Sequence, residues 1–272
     1  MPESKRRVSA TPRTLSPELK IVFFDLDDTL FDHAGARRTA LRTVLEGLAP
    51  KVNVSLAAFD RKYQEIIEEM HPRVLSGRLS REEARVRRFR KLTEWAGGRR
   101  SAPEARRLAE AYHQAYLVAR RTNPGARELI QALRRSLAVG VITNNLVAEQ
   151  EEKLRAIGLE HDIDVVVISE AVGRMKPERE IFQYALHEGD ASPEEAVMVG
   201  DSWESDMEGA LAAGLGAVWY RRGRADLPRP AGVPILRSFR PLNDARRAIS
   251  QAHLAQVGTQ GVPGRAEVPT YF

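Results

Sequence analysis

The amino-acid sequence predicts an α/β fold in which helices cover both faces of a parallel sheet and a helical domain is inserted after the first strand. Short apolar runs alternate with helix-length amphipathic segments between residues 126 and 220, a pattern typical of parallel strands joined by crossover helices. About ninety residues of purely helical periodicity separate the first apolar run from that region. An insertion into an α/β core is the simplest architecture that accommodates both observations.

The elements can be assigned in chain order from periodicity and from the positions of Gly and Pro. A buried-strand pattern, KIVFFD, ends at Asp25, and apolar residues then recur every three or four positions from Asp32 to Arg120. An Asn-Pro-Gly sequence at Asn123 ends this helical region. Beyond it we predict strands at Ala138–Ile142, Val165–Ile168, Ala196–Val199 and Ala217–Tyr220, helices at Ala126–Arg135, Glu149–Ala156, Pro177–His187 and Ser205–Ala213, then an edge strand at Pro234–Arg237 and a helix near Asp244–Leu254.

This order predicts four regions of the chain. Residues 1–19, which are basic and rich in Ser, Thr and Pro, form a flexible arm. Residues 20–31 and 122–222 together form the core domain, and residues 32–121 form a helical cap domain. Residues 223–272 hold the edge strand, the last helix and a loose tail.

Composition excludes several kinds of site. The 272 residues include no cysteine, which rules out disulfides, thiol catalysis and cysteine-ligated metal centres. No apolar run approaches the roughly 18 residues of a membrane helix, and the first twenty residues lack the apolar stretch of a secretory signal. We therefore expect a cytoplasmic protein that does not cross a membrane.

The net charge of +5 is unevenly distributed along the chain. Residues 32–120 contain 19 basic and 11 acidic side chains, whereas the rest of the chain contains 23 and 26. The densest basic run, Arg81 to Lys91, mixes both signs on a helical pattern, which favours a solvated face over a nucleic-acid surface. We therefore do not expect nucleic acid as a partner.

Four segments place polar side chains where a predicted strand ends or a helix begins, the edge at which open parallel sheets bind ligands. They are DLDDT, VITNN, GRMKPE and VGDSWESD. In the first, Asp25 and Asp27 are two residues apart and project the same way from an extended chain. Two carboxylates in one cleft repel each other unless one is protonated or a cation lies between them. In the second, Thr143 offers a hydroxyl, and the backbone after it offers N–H donors, to an anion.

The other two segments add a cation and more carboxylates. Lys176 precedes Pro177, a preferred first helical residue, so we expect its charge at a helix N-terminus, where anions bind. Asp201 and Asp206 bring the acidic set to four with no His or Cys, which is typical of a Mg²⁺ site. A carboxylate nucleophile, a second carboxyl group, Mg²⁺, a lysine and a hydroxyl suit phosphoryl transfer through an aspartyl-phosphate.

The segments IVFFDLDDTLF, VITNN, GRMKPEREIF and VGDSWESDMEGALAAG together resemble the four ordered motifs of the haloacid dehalogenase (HAD) superfamily, subfamily I. The resemblance spans roughly Ile21 to Tyr220 and includes a helical C1 cap between the first and second motifs. It implies the HAD fold, a Rossmann-like parallel sheet with helices on both faces plus an inserted α-helical cap domain. Asp27 matches the phosphatases, because the true dehalogenases lack a carboxylate at that position and work without magnesium.

The resemblance also implies catalytic and phosphate-binding roles. Asp25 would attack phosphorus, and Asp27 would protonate the leaving alcohol and then activate water. The Thr143 hydroxyl and the backbone N–H of Asn144 would bind the phosphoryl group. Lys176 would neutralise charge between the nucleophile and the phosphate.

The implied cofactor is Mg²⁺. Asp25, the backbone carbonyl of Asp27 and Asp201 would hold the ion, and Asp206 would act through a water or by orienting Lys176. Thr29 would support the site, its hydroxyl shaping the turn that positions Asp27.

The expected function is hydrolysis of small phosphate monoesters of the nucleotide or sugar-phosphate type. A sugar-phosphate mutase, a nucleic-acid end phosphatase and a non-catalytic binding protein on the same fold remain as alternatives. The substrate, the oligomeric state and the role of Trp203 stay open. His33 is expected near the entrance of the site. The cap residues that could face the cleft and favour an anionic substrate are Arg37, Arg38, His71, Arg73 and Arg78, although the surface is the more common position for arginine.

Overall fold

The computed structural model of the protein describes residues 18–48, 52–98, 101–222 and 232–260. Most of the predicted N-terminal arm and the end of the predicted tail lie outside these residues. The strands are β1 (Ile21–Phe24), β2 (Ala138–Thr143), β3 (Val165–Ile168), β4 (Ala196–Gly200), β5 (Gly216–Tyr220) and β6 (Ile235–Leu236). The α-helices are α1 (His33–Leu48), α2 (Leu56–Leu75), α3 (Arg81–Trp95), α4 (Ala102–Ala119), α5 (Ala126–Leu133), α6 (Val147–Ala156), α7 (Ser169–Val172), α8 (Arg179–Glu188), α9 (Gly209–Ala213) and α10 (Leu242–Gln260).

The six strands form one sheet in the order β3-β2-β1-β4-β5-β6, and every neighbouring pair is parallel. The predicted fold class, a parallel sheet covered by helices, is confirmed. The first strand of the chain lies near the middle, between β2 and β4. Phe24 is in register with Val141 and with Val199, so the residues that follow these strands meet at one edge of the sheet.

Both faces of the sheet are buried, which explains why its strands are continuously apolar in sequence. In β1, Val22 and Phe24 join the apolar cluster formed with α5 and α10. Ile21 and Phe23 point to the opposite face and join the cluster formed with α8 and α9. All four residues of β1 are buried, so the backbone that leads to Asp25 is held in place by packing on both sides.

Helices α1 to α4 bury an apolar cluster of their own, which includes Phe59, Tyr63 and Phe89. Capping boxes begin α3 and α4, since in each the N-cap serine and a glutamate three residues later satisfy each other's backbone N–H groups. The chain leaves and re-enters the sheet side by side, with Phe31 bridged to Thr122. We propose that these helices form a separate cap domain, as the sequence analysis expected.

The segment around Pro177 differs from its prediction. Helix α8 begins at Arg179, so Pro177 is not a first helical residue and Lys176 does not lie at a helix N-terminus. The side chain of Asn144 holds the Lys176 backbone instead, because its Oδ1 accepts from Lys176 N (2.8 Å) and its Nδ2 donates to Lys176 O (2.9 Å). A turn closed by Glu178 N and Met175 O (2.8 Å) then separates this residue from the helix.

The helix predicted at Ser205–Ala213 also differs in its geometry. It begins as a π-helical turn, Trp203–Glu208, and becomes α-helical only at Gly209. Such turns occur frequently at functional sites. Among the residues described, no helix combines the length and the apolar character that crossing a membrane requires.

Candidate active site

The polar ends of three adjacent strands converge at the carboxyl edge of the sheet. Asp25 follows β1 directly, and its backbone N–H donates to Val199 O of β4 (2.9 Å). Thr143 is the last residue of β2, and Asp201 follows β4. The parallel register therefore brings together residues that are far apart in sequence, as the motif analysis expected.

Three carboxylates form a cluster at this edge. One oxygen each from Asp25, Asp201 and Asp206 lies within 4.8 Å of the others. Lys176 Nζ lies between two of them, 2.7 Å from Asp25 Oδ1 and 2.6 Å from Asp206 Oδ1. The lysine side chain is only 2% exposed, so water screens these contacts little.

Local contacts fix the position of Asp206. Its Oδ2 accepts a hydrogen bond from the backbone N–H of Ser202 (3.0 Å). A Cβ on Gly200 would lie 2.3 Å from the same oxygen, so only glycine fits at the end of β4. The glycine at this strand end is thus a steric requirement of the Asp206 position.

Burial and mutual repulsion raise the pKa values of two of these carboxyl groups. Burial, followed by the charges of Asp206 and Asp27, raises the pKa of Asp25 to about 7, although Lys176 opposes the shift. Asp201 keeps an exposed face, but desolvation of its carboxyl group, followed by the charges of Asp25 and Asp206, raises its pKa to about 8. One lysine does not compensate three carboxylates, and oxygen donors are what Mg²⁺ prefers, so the residues at this edge fit that ion.

We expect Mg²⁺ to stabilise the protein against heat more strongly near pH 8 than near pH 5. The folded-state pKa values of Asp25 and Asp201 lie above the unfolded ones, so the metal-free protein loses stability as pH rises from about 4 to about 8. Mg²⁺ would bind the ionised carboxylates and restore the stability at high pH, while protons would compete with the ion at low pH. Thermal unfolding with Mg²⁺ or EDTA at both pH values measures the effect.

Asp201→Asn should remove most of this pH-dependent gain. Asp162→Asn is the matched control, since Asp162 precedes β3 at the opposite edge of the sheet, where it pairs with Arg134 (3.1 Å). Equal Mg²⁺ stabilisation at both pH values, or an unchanged gain in Asp201→Asn, would contradict a carboxylate metal site.

Asp27 has different neighbours from Asp25. Lys153 Nζ contacts both of its carboxylate oxygens, at 2.9 and 2.7 Å, and His33 Nδ1 lies 3.8 Å away. Burial alone would raise the pKa of Asp27, but Lys153, His33 and Gln150 lower it to about 2. Its side chain lies outside the carboxylate cluster, which leaves the backbone carbonyl as the predicted metal ligand.

Gln150 links Asp27 to Thr143. Its Nε2 donates to Asp27 Oδ2 (3.1 Å) and to Thr143 Oγ1 (3.0 Å). Because the threonine oxygen accepts this bond, its own hydrogen is free to donate elsewhere. The contact thus prepares Thr143 as a donor to an anion.

Neither Gln150 nor Lys153 is among the site residues predicted from the sequence. Both are buried on α6, with 0% and 3% of their surface exposed. A signal was present, because they share the inward helical face with Leu154 and Ile157. Two long polar side chains on a buried helical face need polar partners. Here the partners are Asp27 and Thr143.

The turn after β1 is held differently from the prediction. The Thr29 hydroxyl is buried and has no hydrogen-bond partner among the residues described, so the role expected for it is wrong. Asn123 holds the turn instead, its Nδ2 donating to Asp28 O (3.0 Å) and Thr29 O (2.7 Å). An amide group offers two donors to the two carbonyls, whereas a hydroxyl has only one.

Trp203 packs against the end of the sheet. Its ring meets that of Trp219 edge to face, with the centroids 5.0 Å apart. Trp219 Nε1 in turn donates to the backbone carbonyl of Asp201 (2.9 Å). The pair therefore braces the loop that carries one of the three clustered carboxylates.

A cavity of about 510 Å³ opens between the cap helices and Asp27. Of the five cap residues that could face the cleft, only His71 lines the cavity. Arg37 is buried and donates instead to Asp60 Oδ1 (2.8 Å), while Arg38, Arg73 and Arg78 are exposed. Arginine is more often exposed than turned to a cleft, and the surface position is confirmed for Arg38, Arg73 and Arg78.

Comparisons with known proteins agree with this geometry. A family model described as haloacid dehalogenase-like hydrolase matches residues 19–214. The chain belongs to this family. It is 37% identical to the phosphoserine phosphatase of Thermus thermophilus over 226 residues, covering 75% of this chain and 90% of the relative. It is 32% identical to the pyrimidine 5'-nucleotidase YjjG of Escherichia coli, covering 76% of this chain and 88% of the relative.

Solved structures agree on the fold of this HAD hydrolase. The HAD-hydrolase YfnB of Bacillus subtilis superposes with a TM-score of 0.64 and 24% identity, covering 84% of this chain and 99% of that one. The resemblance stated from the four motifs is confirmed, and so is its phosphatase branch. The protein is an enzyme that hydrolyses phosphate monoesters.

Proposed function

We propose that this HAD hydrolase is a Mg²⁺-dependent phosphatase that hydrolyses small phosphate monoesters through an aspartyl-phosphate on Asp25. The observation that carries the proposal is the arrangement around that residue. Lys176 contacts it on one side, Asp201 and Asp206 surround it with further carboxylates, and Asp27 follows two residues later on a separate set of partners. Asp25, the proposed nucleophile, thus lies between Lys176, which compensates negative charge, and Asp27, which would transfer the proton.

In the first half of the proposed reaction, a carboxylate oxygen of Asp25 bonds to phosphorus and the ester P–O bond breaks. Asp27 gives its proton to the leaving alcohol oxygen, while the Thr143 hydroxyl, Asn144 N–H and Lys176 bind the phosphoryl oxygens. Mg²⁺, held by Asp25, Asp201, Asp206 and the Asp27 carbonyl, would supply positive charge against the phosphate.

In the second half, Asp27 takes a proton from the water that attacks phosphorus, and the Asp25 carboxylate is released. With Lys153 beside it, Asp27 is ionised and ready for this second half. For the first half it must carry a proton, so the proposal requires the contact with Lys153 to loosen when the leaving group enters. The strength of the contact between Lys153 and Asp27 depends on the other charges near it.

The proposed substrate is a small molecule. The relatives named above act on phosphoserine and on pyrimidine nucleotides, and other relatives at 30% identity or above are named for glyceraldehyde 3-phosphate. The cavity beside Asp27 is of the size that takes such ligands. The cytoplasmic location stays a prediction.

Phosphate release from a panel of monoesters tests the proposal. We expect turnover of p-nitrophenyl phosphate and of several phosphorylated sugars, nucleotides or hydroxy acids with Mg²⁺, and none with EDTA. Full activity in EDTA would contradict the metal requirement. A product that is an isomeric phosphate ester instead of inorganic phosphate would identify a mutase.

A further inference from the structure

Three arginines of the cap face the cavity beside Asp27. Arg81, Arg85 and Arg88 are spaced four and three residues apart on α3, which puts them on one helical face, and all three line the cavity. The sequence pattern of this basic run, Arg81 to Lys91, favours a solvated face. In the structure, however, three arginines of this run face the cavity beside Asp27.

These arginines lack acidic partners. In the described parts of the chain, none of the three has an ion pair within 4.0 Å, whereas Arg37 and Arg120 each pair with a carboxylate at 2.8 Å. Arg88 is half-buried beside the Tyr63 hydroxyl, and its Nε is buried with no hydrogen-bond partner. A buried guanidinium N–H without an acceptor is costly, and an anion would satisfy it.

The carboxylates on the cavity wall are already engaged, with one exception. Glu149 and Asp27 both contact Lys153, and Glu152 contacts Arg120. Glu68 is the fourth carboxylate among the described lining residues, which also include five cations, so the lining has a net charge of about +1 with the histidines neutral. The cavity therefore carries net positive charge at its α3 wall.

The neighbouring histidines add no positive charge of their own to the cavity. Burial, and next the charge of Arg88, hold the pKa of His71 below its ordinary value. Burial and Arg85 do the same for His113. Both rings add neutral hydrogen-bonding groups beside the arginines.

We propose that Arg88, together with Arg85 and Arg81, binds a second anionic group, a carboxylate or a phosphate, on the leaving part of the substrate. The inference rests on the proposed function, in which the leaving group meets Asp27, because Asp27 lines the same cavity. Guanidinium groups bind carboxylate and phosphate oxygens through paired N–H donors. The substrate class is thus a phosphate monoester with a second negative charge.

Two matched pairs of substrates test the inference. Glycerol 3-phosphate and 3-phosphoglycerate differ by a carboxylate, and fructose 6-phosphate and fructose 1,6-bisphosphate differ by a phosphate. We expect wild type to prefer the more anionic member of at least one pair in kcat/KM. The pair that is discriminated tells which anion the arginines bind.

Arg88→Gln should reduce that preference by about ten- to a hundredfold, which is the usual value of a hydrogen bond to a charged group. Arg85→Gln should reduce it by a smaller factor, and Arg88→Lys should retain part of it. Activity on p-nitrophenyl phosphate, which has no second anion, should change little. Arg90→Gln is the matched control, since Arg90 is on the same helix, is exposed and lies outside the cavity.

A misfolded variant would lose activity on every substrate, so the ratio within a pair separates recognition from folding. Equal use of both members of both pairs by wild type, or an unchanged ratio in Arg88→Gln and Arg85→Gln, would overturn the inference alone. If wild type hydrolysed no ester, the proposed function would fail. Isothermal titration would then decide the inference by itself, since only an Arg88-dependent preference for 3-phosphoglycerate over glycerol 3-phosphate would support it.

Discussion

Asp25→Asn is expected to lower kcat on every phosphate monoester by at least about 10⁴-fold, because removal of a nucleophile abolishes the covalent route. The amide has the same shape as the carboxylate but no negative charge and little nucleophilicity. It also removes the repulsion that Asp25 exerts on Asp201 and Asp206. We therefore expect the variant to be folded, and in EDTA at least as heat-stable as wild type.

Two measurements check this expectation. Phosphate release gives the loss of kcat, and the intact mass after an acid quench should show one added phosphoryl group in wild type and none in Asp25→Asn. Asp162→Asn, at the far edge of the sheet, should keep wild-type turnover. Substantial turnover or a phosphoryl adduct in the Asp25 variant would assign the nucleophile to another residue.

The fold, and the edge of the sheet at which the site lies, could be predicted from the sequence because both depend on local patterns. The continuous apolar run of β1 and the aspartate after it are adjacent in sequence, and the parallel register then carries Thr143 and Asp201 to the same edge. A sheet with helices on both faces brings its strand ends together whatever the loops contain. The prediction of neighbouring carboxylates therefore needed no knowledge of side-chain contacts.

The partners of the site residues depend on contacts between distant segments. Lys153 meets Asp27 across 126 positions, and Asn123 holds the carbonyl of Thr29 across 94. Motif spacing carries no information about which buried face of α6 or which loop supplies a partner. The same limit applies to α3, since its arginines surround most of the helix and only packing selects the three that face the cavity.

Pro177 illustrates a local rule overridden by a distant contact. Proline favours the first turn of a helix, but the Asn144 side chain pairs with the Lys176 backbone, and Lys176 and Pro177 lie in a turn ahead of the helix. This arrangement matters for the site, because the side chain of Lys176 points at Asp25 and Asp206 and not along the axis of α8.

Lys176→Met is expected to cause the second large effect, on both stability and activity. The ammonium group contacts Asp25 and Asp206, whose side chains are 10% and 1% exposed, so its removal leaves two carboxylates buried without a cation. Breaking a buried pair in this way typically costs about 3–5 kcal/mol. In EDTA the unfolding midpoint should fall by several degrees, and kcat should fall by roughly 10²–10³-fold as one electrostatic donor to the transition state is lost.

The metal dependence of this loss separates charge compensation from packing. Mg²⁺ should recover part of the stability of Lys176→Met, because a cation in the carboxylate cluster replaces some of the missing charge, but it should not recover kcat. Lys62→Met is the matched control, since Lys62 forms an exposed pair with Glu65 (2.8 Å), and such pairs contribute about 0–1 kcal/mol. A melting point that falls equally with and without Mg²⁺ would mean that the lysine acts mainly through packing. Unchanged kcat in a folded Lys176→Met would remove it from the phosphate site, because a buried cation 2.7 Å from the nucleophile must affect any anion that binds there.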